Sequence, residues 1–146
     1  MTSVTHLARR FVTSLSNTPP SAEVTAWAVG YLLPAESELW ERMTVQDRRH
    51  SILVARRFID FVPDAERAEV AGALLHDVGK LASGLGTSSR VLATIVGPRT
   101  NRFRKYHDHE RLGGEMLTAA GSPSVTCELV AGSGPSAGAL RRADDI

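Results

Sequence analysis

Apolar residues recur three and four positions apart along most of this chain, and nowhere do they alternate over a length useful to a strand. That periodicity confines the chain to helices packed on helices. Thr5 to Ser16 carries Leu7, Phe11, Val12 and Leu15 at helical spacing. After Pro19-Pro20, Ser21 is the expected N-cap of a helix from Ala22 to Leu33, and Pro34 separates it from Ala35 to Met43. Trp27 and Trp40 read as core anchors. Thr44, with Asp47 three positions on, opens a helix to about Val62. Pro63-Asp64 closes that helix and caps the next, which runs through Val70 to His76-Asp77, with Gly79 as its stop. A Gly/Ser loop over 83–89 precedes a short helix through Val91 and Val96, and a basic connector, Arg99 to Lys105, leads into a helix from Asp108. Within that helix Gly113-Gly114 marks a close approach to a neighbour or a ligand. Helices from Ser122-Pro123 to Ala131 and from Ser136 to Asp145 finish the chain. The expectation is an all-α, compact single-domain bundle of about seven or eight helices.

One helix of that set ends in chemistry. Val70-Ala71-Gly72-Ala73-Leu74-Leu75 runs directly into His76, Asp77, Val78, Gly79 and Lys80. If the helix continues, Asp77 shares a face with Val70, Ala73 and Leu74, and a carboxylate on an apolar stripe is costly to bury unless a cation compensates it. The plainer alternative is that His76 caps a helix C-terminus and Asp77 pairs with an arginine. His50, flanked by Arg48-Arg49 and Arg56-Arg57, and Asp144 near the end supply a further imidazole and carboxylate from separate helices. Two imidazoles and two carboxylates suit one divalent ion such as Mn, Fe, Co, Ni, Zn or Mg. Four protein ligands leave an octahedral ion two positions for water and a substrate oxygen, the arrangement that activates water against a phosphoryl group.

Composition narrows the partners. A formal charge of +1 over 146 residues argues against bulk nucleic-acid binding. Between Arg90 and Lys105, however, stand five cations (Arg90, Arg99, Arg102, Arg104 and Lys105) and no acid, which reads equally as a solvated surface or as an anion-binding rim. A single cysteine, Cys127, precludes an intrachain disulfide and fits a reducing compartment. Residues 1–17 lack the apolar core and cleavage site of a secretory signal, and no apolar run approaches the roughly 20 residues needed to span a bilayer. A cytoplasmic location is therefore expected.

The order His50, then His76-Asp77, then Asp144 resembles the HD superfamily of metal-dependent phosphohydrolases. The matching stretches are His50–Ala55, Ala73–Lys80, His109–Leu117 and Ala143–Ile146. The resemblance implies that His50, His76, Asp77 and Asp144 are metal ligands, with Asp145 the fallback for the last. It implies that Lys80 reaches toward a phosphate or the nucleophilic water; Asp77, as ligand, is also placed to accept that water's proton, and the two are the expected catalytic pair. His109 matches a histidine that in many relatives lines the site or binds a second metal. Leu129–Pro135 offers no ligand where two-metal relatives carry histidines, so one ion is expected. Arg49, Arg102, Arg104 and Lys105 are further candidates for binding substrate anions. The division implied is 1–43 as N-terminal helices packed on a metal-binding core of 44–146. The expected substrate is a small phosphoester, a nucleotide by preference. A catalytically weak nucleotide-sensing or protein-interaction module, able to form a homo-oligomer, is the alternative. The chain stops two residues past Asp144, which would leave the last ligand on a fraying end.

Overall fold

The computed structural model describes residues 18–82 and 102–146, with side chains from 108 onward in the second stretch. Among them are seven α-helices: α1 Ala22–Val29, α2 Pro34–Arg42, α3 Val45–Phe61, α4 Arg67–Leu74, α5 Arg102–Ala119, α6 Ser124–Val130 and α7 Ala137–Asp144. A 3₁₀ turn, Val78–Leu81, follows α4, and there is no strand among the described residues. The fold is all-α, as the periodicity requires. The helices expected over Thr5–Ser16 and Val91–Val96 lie outside the described residues.

Local chemistry sets several of the starts. Ser21 Oγ accepts the Val24 N–H at 3.2 Å, and Thr44 Oγ1 accepts the Asp47 N–H at 3.1 Å, so both expected N-caps are real. Pro34 is the first residue of α2, where its missing N–H costs nothing. The cap of α4 differs from the expected Asp64. It is Glu66, whose N–H is held by the Glu69 carboxylate at 3.0 Å.

α4 is the hub. Val70 to Leu75 are all buried, which is how a helix apolar on every side must sit. It packs against α3 on one side and α6 on the other, while α5 covers α6 and the 3₁₀ turn, and α7 lies along α3. Trp40 is fully buried, and its Nε1–H donates to Ser51 Oγ at 2.9 Å. Trp27 is only half-buried, its ring edge-on to Tyr31 and under the Arg56 guanidinium.

Two expectations are corrected. α4 ends at Leu74 rather than continuing to Asp77, and the chain tightens into i→i+3 bonds, Val78 N–H to the Leu75 carbonyl at 2.9 Å and Lys80 N–H to the Asp77 carbonyl at 3.0 Å. Gly79 does not have positive φ and is not a left-handed stop. It is a contact point, since a Cβ there would collide with the His109 carbonyl of α5 and come within 3.0 Å of the Gly113 amide. The second correction is at α5, which begins at Arg102, so most of the basic connector is helix. Arg and Lys are good helix formers, and nothing in that run breaks the pattern.

Candidate metal centre

Three elements converge on one cleft. α3 carries His50, the turn after α4 carries His76 and Asp77, and Asp144 is the last residue of α7. His50 Nε2 meets Asp144 Oδ1 at 2.7 Å. His76 Nε2 stands 3.3 Å from Asp77 Oδ2 and 3.5 Å from the same Asp144 oxygen. One ligand atom from each of His50, His76 and Asp144 falls within 4.8 Å of the others, a grouping able to hold a metal ion. Asp77 is outside that mutual group and touches it through His76.

The tautomer of His76 follows from its other nitrogen. Nδ1 is 2.8 Å from the Ala73 carbonyl, an acceptor only, so Nδ1 carries a proton and donates it. Nε2 is left buried without a hydrogen bond, aimed between two carboxylates. A neutral ring would set its lone pair against two anions, so the pocket calls for positive charge at Nε2. Burial resists a charged ring, but Asp144 and Asp77 outweigh burial and push the His76 pKa up to about 10. Burial likewise opposes the ionised form of Asp144 and Asp77. His50 and His76 overcome it at Asp144, and His76 and Lys80 at Asp77, so both carboxyls are held well below the usual carboxylate range. A divalent cation between these groups supplies the same charge at the same place. A metal-ligating histidine ordinarily has its second nitrogen anchored to a carbonyl, as Ala73 anchors this one. The donor set of nitrogen and oxygen fits the divalent ions expected from the sequence.

Lys80 stands beside the group. Its Nζ lies 3.1 Å from Asp77 Oδ2 and 3.4 Å from Asp47 Oδ1. Burial lowers its pKa, and Asp77 followed by Asp47 more than offset that, so the ammonium is retained. Asp47 was not singled out by the sequence beyond its place at the start of α3. That place, three residues before His50, is the available signal.

The cleft encloses about 1130 Å³, and His50, His76, Asp77, Asp144, Lys80, His109 and Arg49 all line it. Arg49 also donates to the Thr18 carbonyl at 2.7 Å. Asp145 is exposed, past the end of α7, and does not line the cleft, which favours Asp144 over it. The backbone of Arg102, Arg104 and Lys105 belongs to α5, but their side chains lie outside the described residues.

Arg57, known from the sequence only as a flank of His50, has a further part here. Its Nη1 donates to the Ala143 carbonyl at 3.3 Å and the Ile146 carbonyl at 3.2 Å, on either side of Asp144. With the His50 contact, α3 therefore meets Asp144 and the backbone that flanks it at three points. Arg57 follows His50 by seven residues, two helical turns along one face of α3, and that spacing was the only trace.

No family model, curated protein or solved structure matches the chain.

Proposed function

We propose that the protein is a metal-dependent phosphohydrolase acting on a small anionic phosphoester. The observation that carries this is the buried His76 Nε2, fixed by the Ala73 bond and directed at Asp77 and Asp144 in a cleft that also holds Lys80 and Arg49. His50, His76 and Asp144 would hold one divalent ion, with Asp77 at its edge. When bound, such an ion supplies a Lewis acid for the phosphoryl group and lowers the pKa of water. Asp77 is ionised at neutral pH, the form that accepts a hydrogen bond from an attacking water and orients it. Lys80, held against Asp77 from one side, presents its ammonium to the phosphoryl oxygens, whose charge grows in the transition state. Arg49 adds a second cation on the same wall. His109, from α5, lines the same cleft and fits a substrate contact. The likeness of His50, His76-Asp77 and Asp144 in their order to the HD superfamily supports the same reading, and a nucleotide is one member of the substrate class.

The test is elemental analysis of protein purified without chelator, followed by a phosphatase screen under Mn, Fe, Co, Ni, Zn and Mg. About one equivalent of a transition metal, with hydrolysis abolished in Asp77→Ala, is expected. Metal-free protein that takes up none of these ions sinks the reading. Tight nucleotide binding without turnover under any ion would instead make it a sensor.

A further inference from the structure

Aliphatic side chains line the cleft beside the candidate ligands, interleaved with Arg49, Arg56, Arg57 and Arg141. α3 turns Arg49, His50, Leu53 and Arg57 toward the cleft at steps of three and four residues. Arg57, by bonding the carbonyls on either side of Asp144, draws the residues that follow α7 alongside the turn of α3 that bears Leu53. Ile146, two residues past Asp144, lines the same cleft as Leu53. Both side chains face the cleft, Leu53 39% exposed and Ile146 40%. They are two of the four exposed large hydrophobic side chains among the described residues. Leu140, one turn before Asp144 on α7, continues the surface as buried floor. One helical turn is about 5.4 Å, so a group esterified to a phosphate at the ligand end reaches this surface within a few bonds.

We infer that the substrate's organic part is aliphatic: the cleft takes an alkyl phosphate, its phosphoryl group at the His/Asp end and its chain laid over Leu53 and Ile146. The inference rests on the phosphoester reading and narrows it. Charge and shape point the same way. Lys80, bonded to Asp77, stands at the phosphoryl end, and each methylene laid on the aliphatic side chains releases water from both surfaces. A volume of about 1130 Å³ leaves ample room beyond a phosphate for such a chain.

The measurement is calorimetric binding of straight-chain alkylphosphonates, ethyl through octyl, to the full-length protein loaded with Mn. Phosphonates carry no cleavable ester, so the result is independent of turnover. Full burial of one methylene is worth about fourfold in affinity, so in a half-open cleft hexylphosphonate should bind at least about tenfold more tightly than ethylphosphonate. In Leu53→Ser the hexyl-to-ethyl ratio should collapse toward one, while Leu53→Met should keep it. Leu53 is exposed, so both variants should melt close to the parent. Equal affinity across the series, no binding of any member, or tighter binding of a nucleoside monophosphate than of hexylphosphonate would overturn the inference. A clear chain-length dependence in a protein that hydrolyses no phosphoester would overturn the enzyme reading and leave this one standing.

Discussion

His76 spends its Nδ1–H on the Ala73 carbonyl, and the lone pair at Nε2 then faces Asp77 and Asp144. Without an ion, a proton meets that demand, with the pKa raised from 6.5 to about 10. An ion binding there must displace it. Near neutral pH metal binding should therefore release close to one proton, and affinity should climb with pH toward about 10. Titration calorimetry in buffers of different ionisation enthalpy measures the released proton directly, and a value near zero would contradict this account. The same groups set the acid limit of the ion-free protein. Asp77 and Asp144 have folded pKa values below their unfolded value of 3.8, so their stabilisation is full above that pH and drains away as pH falls below it. Thermal melts of chelated protein should drop more steeply below pH 4 than those of Asp144→Asn. Arg57 belongs to this scale too, because it bonds the backbone carbonyls on both sides of Asp144. Arg57→Ala should weaken metal affinity about 10-fold or more, the usual cost of losing an outer-shell support. Arg57→Lys should recover part of it. His50, His76 and Asp144 were legible as residue types in order, whereas Arg57 was not, because a guanidinium reaching two carbonyls leaves no motif.

The turn after α4 shows what one element can do to a site. Had α4 continued, Asp77 would lie on the same stripe as Val70 and Leu74. The chain instead tightens at Leu75 and puts His76 and Asp77 in a turn, with Gly79 pressed against α5. The glycine is needed because a backbone carbonyl, His109, fills the place of its side chain. Gly79→Ala should cost at least about 2 kcal/mol, since backbone cannot give way as a flexible side chain can. Gly138 in α7 is the control: no atom lies within 4 Å of a Cβ built there, so Gly138→Ala should be stabilising by about 0.5–1 kcal/mol. Urea denaturation of the two variants checks both signs. Gly113-Gly114 was legible as a place of close approach, and Gly113 does face Gly79 and Val130. Which neighbour would approach was not legible, since helical period carries no information about partners.

Across the whole molecule, Glu36 ties together parts far apart in sequence. It is fully buried and accepts the Leu33 N–H at 2.8 Å, the Ser122 hydroxyl at 2.7 Å and Arg67 Nη1 at 3.4 Å. α2, α4 and the turn before α6 thus share one carboxylate. Glu36→Ala should destabilise by about 2–3 kcal/mol, because it unpairs a hydroxyl and a backbone amide together, and Glu36→Gln should fall between. The site is spread in the same way over α3, the turn after α4 and α7, which lie along or beside one another. An ion bound to all three is a crosslink of the folded state alone. Adding chelator to the metal-loaded protein should lower the melting temperature, and by more the higher the free metal had been. No described helix is long and apolar enough to cross a membrane.

The sequence by itself determined the helical class, the caps at Ser21 and Thr44 and the buried run Val70–Leu75, and it named His50, His76 and Asp144, which the fold brings together. Each of these is a matter of local spacing or side-chain chemistry, which a chain carries wherever it folds. Tertiary structure alone decided that α4 stops at Leu74, that Gly79 is a contact and not a cap, and that Arg57 secures Asp144. It also set Asp144, already preferred over Asp145, against both histidines. Those outcomes depend on what lies across a gap of a few ångströms from residues up to 94 positions away, and no local pattern records that distance.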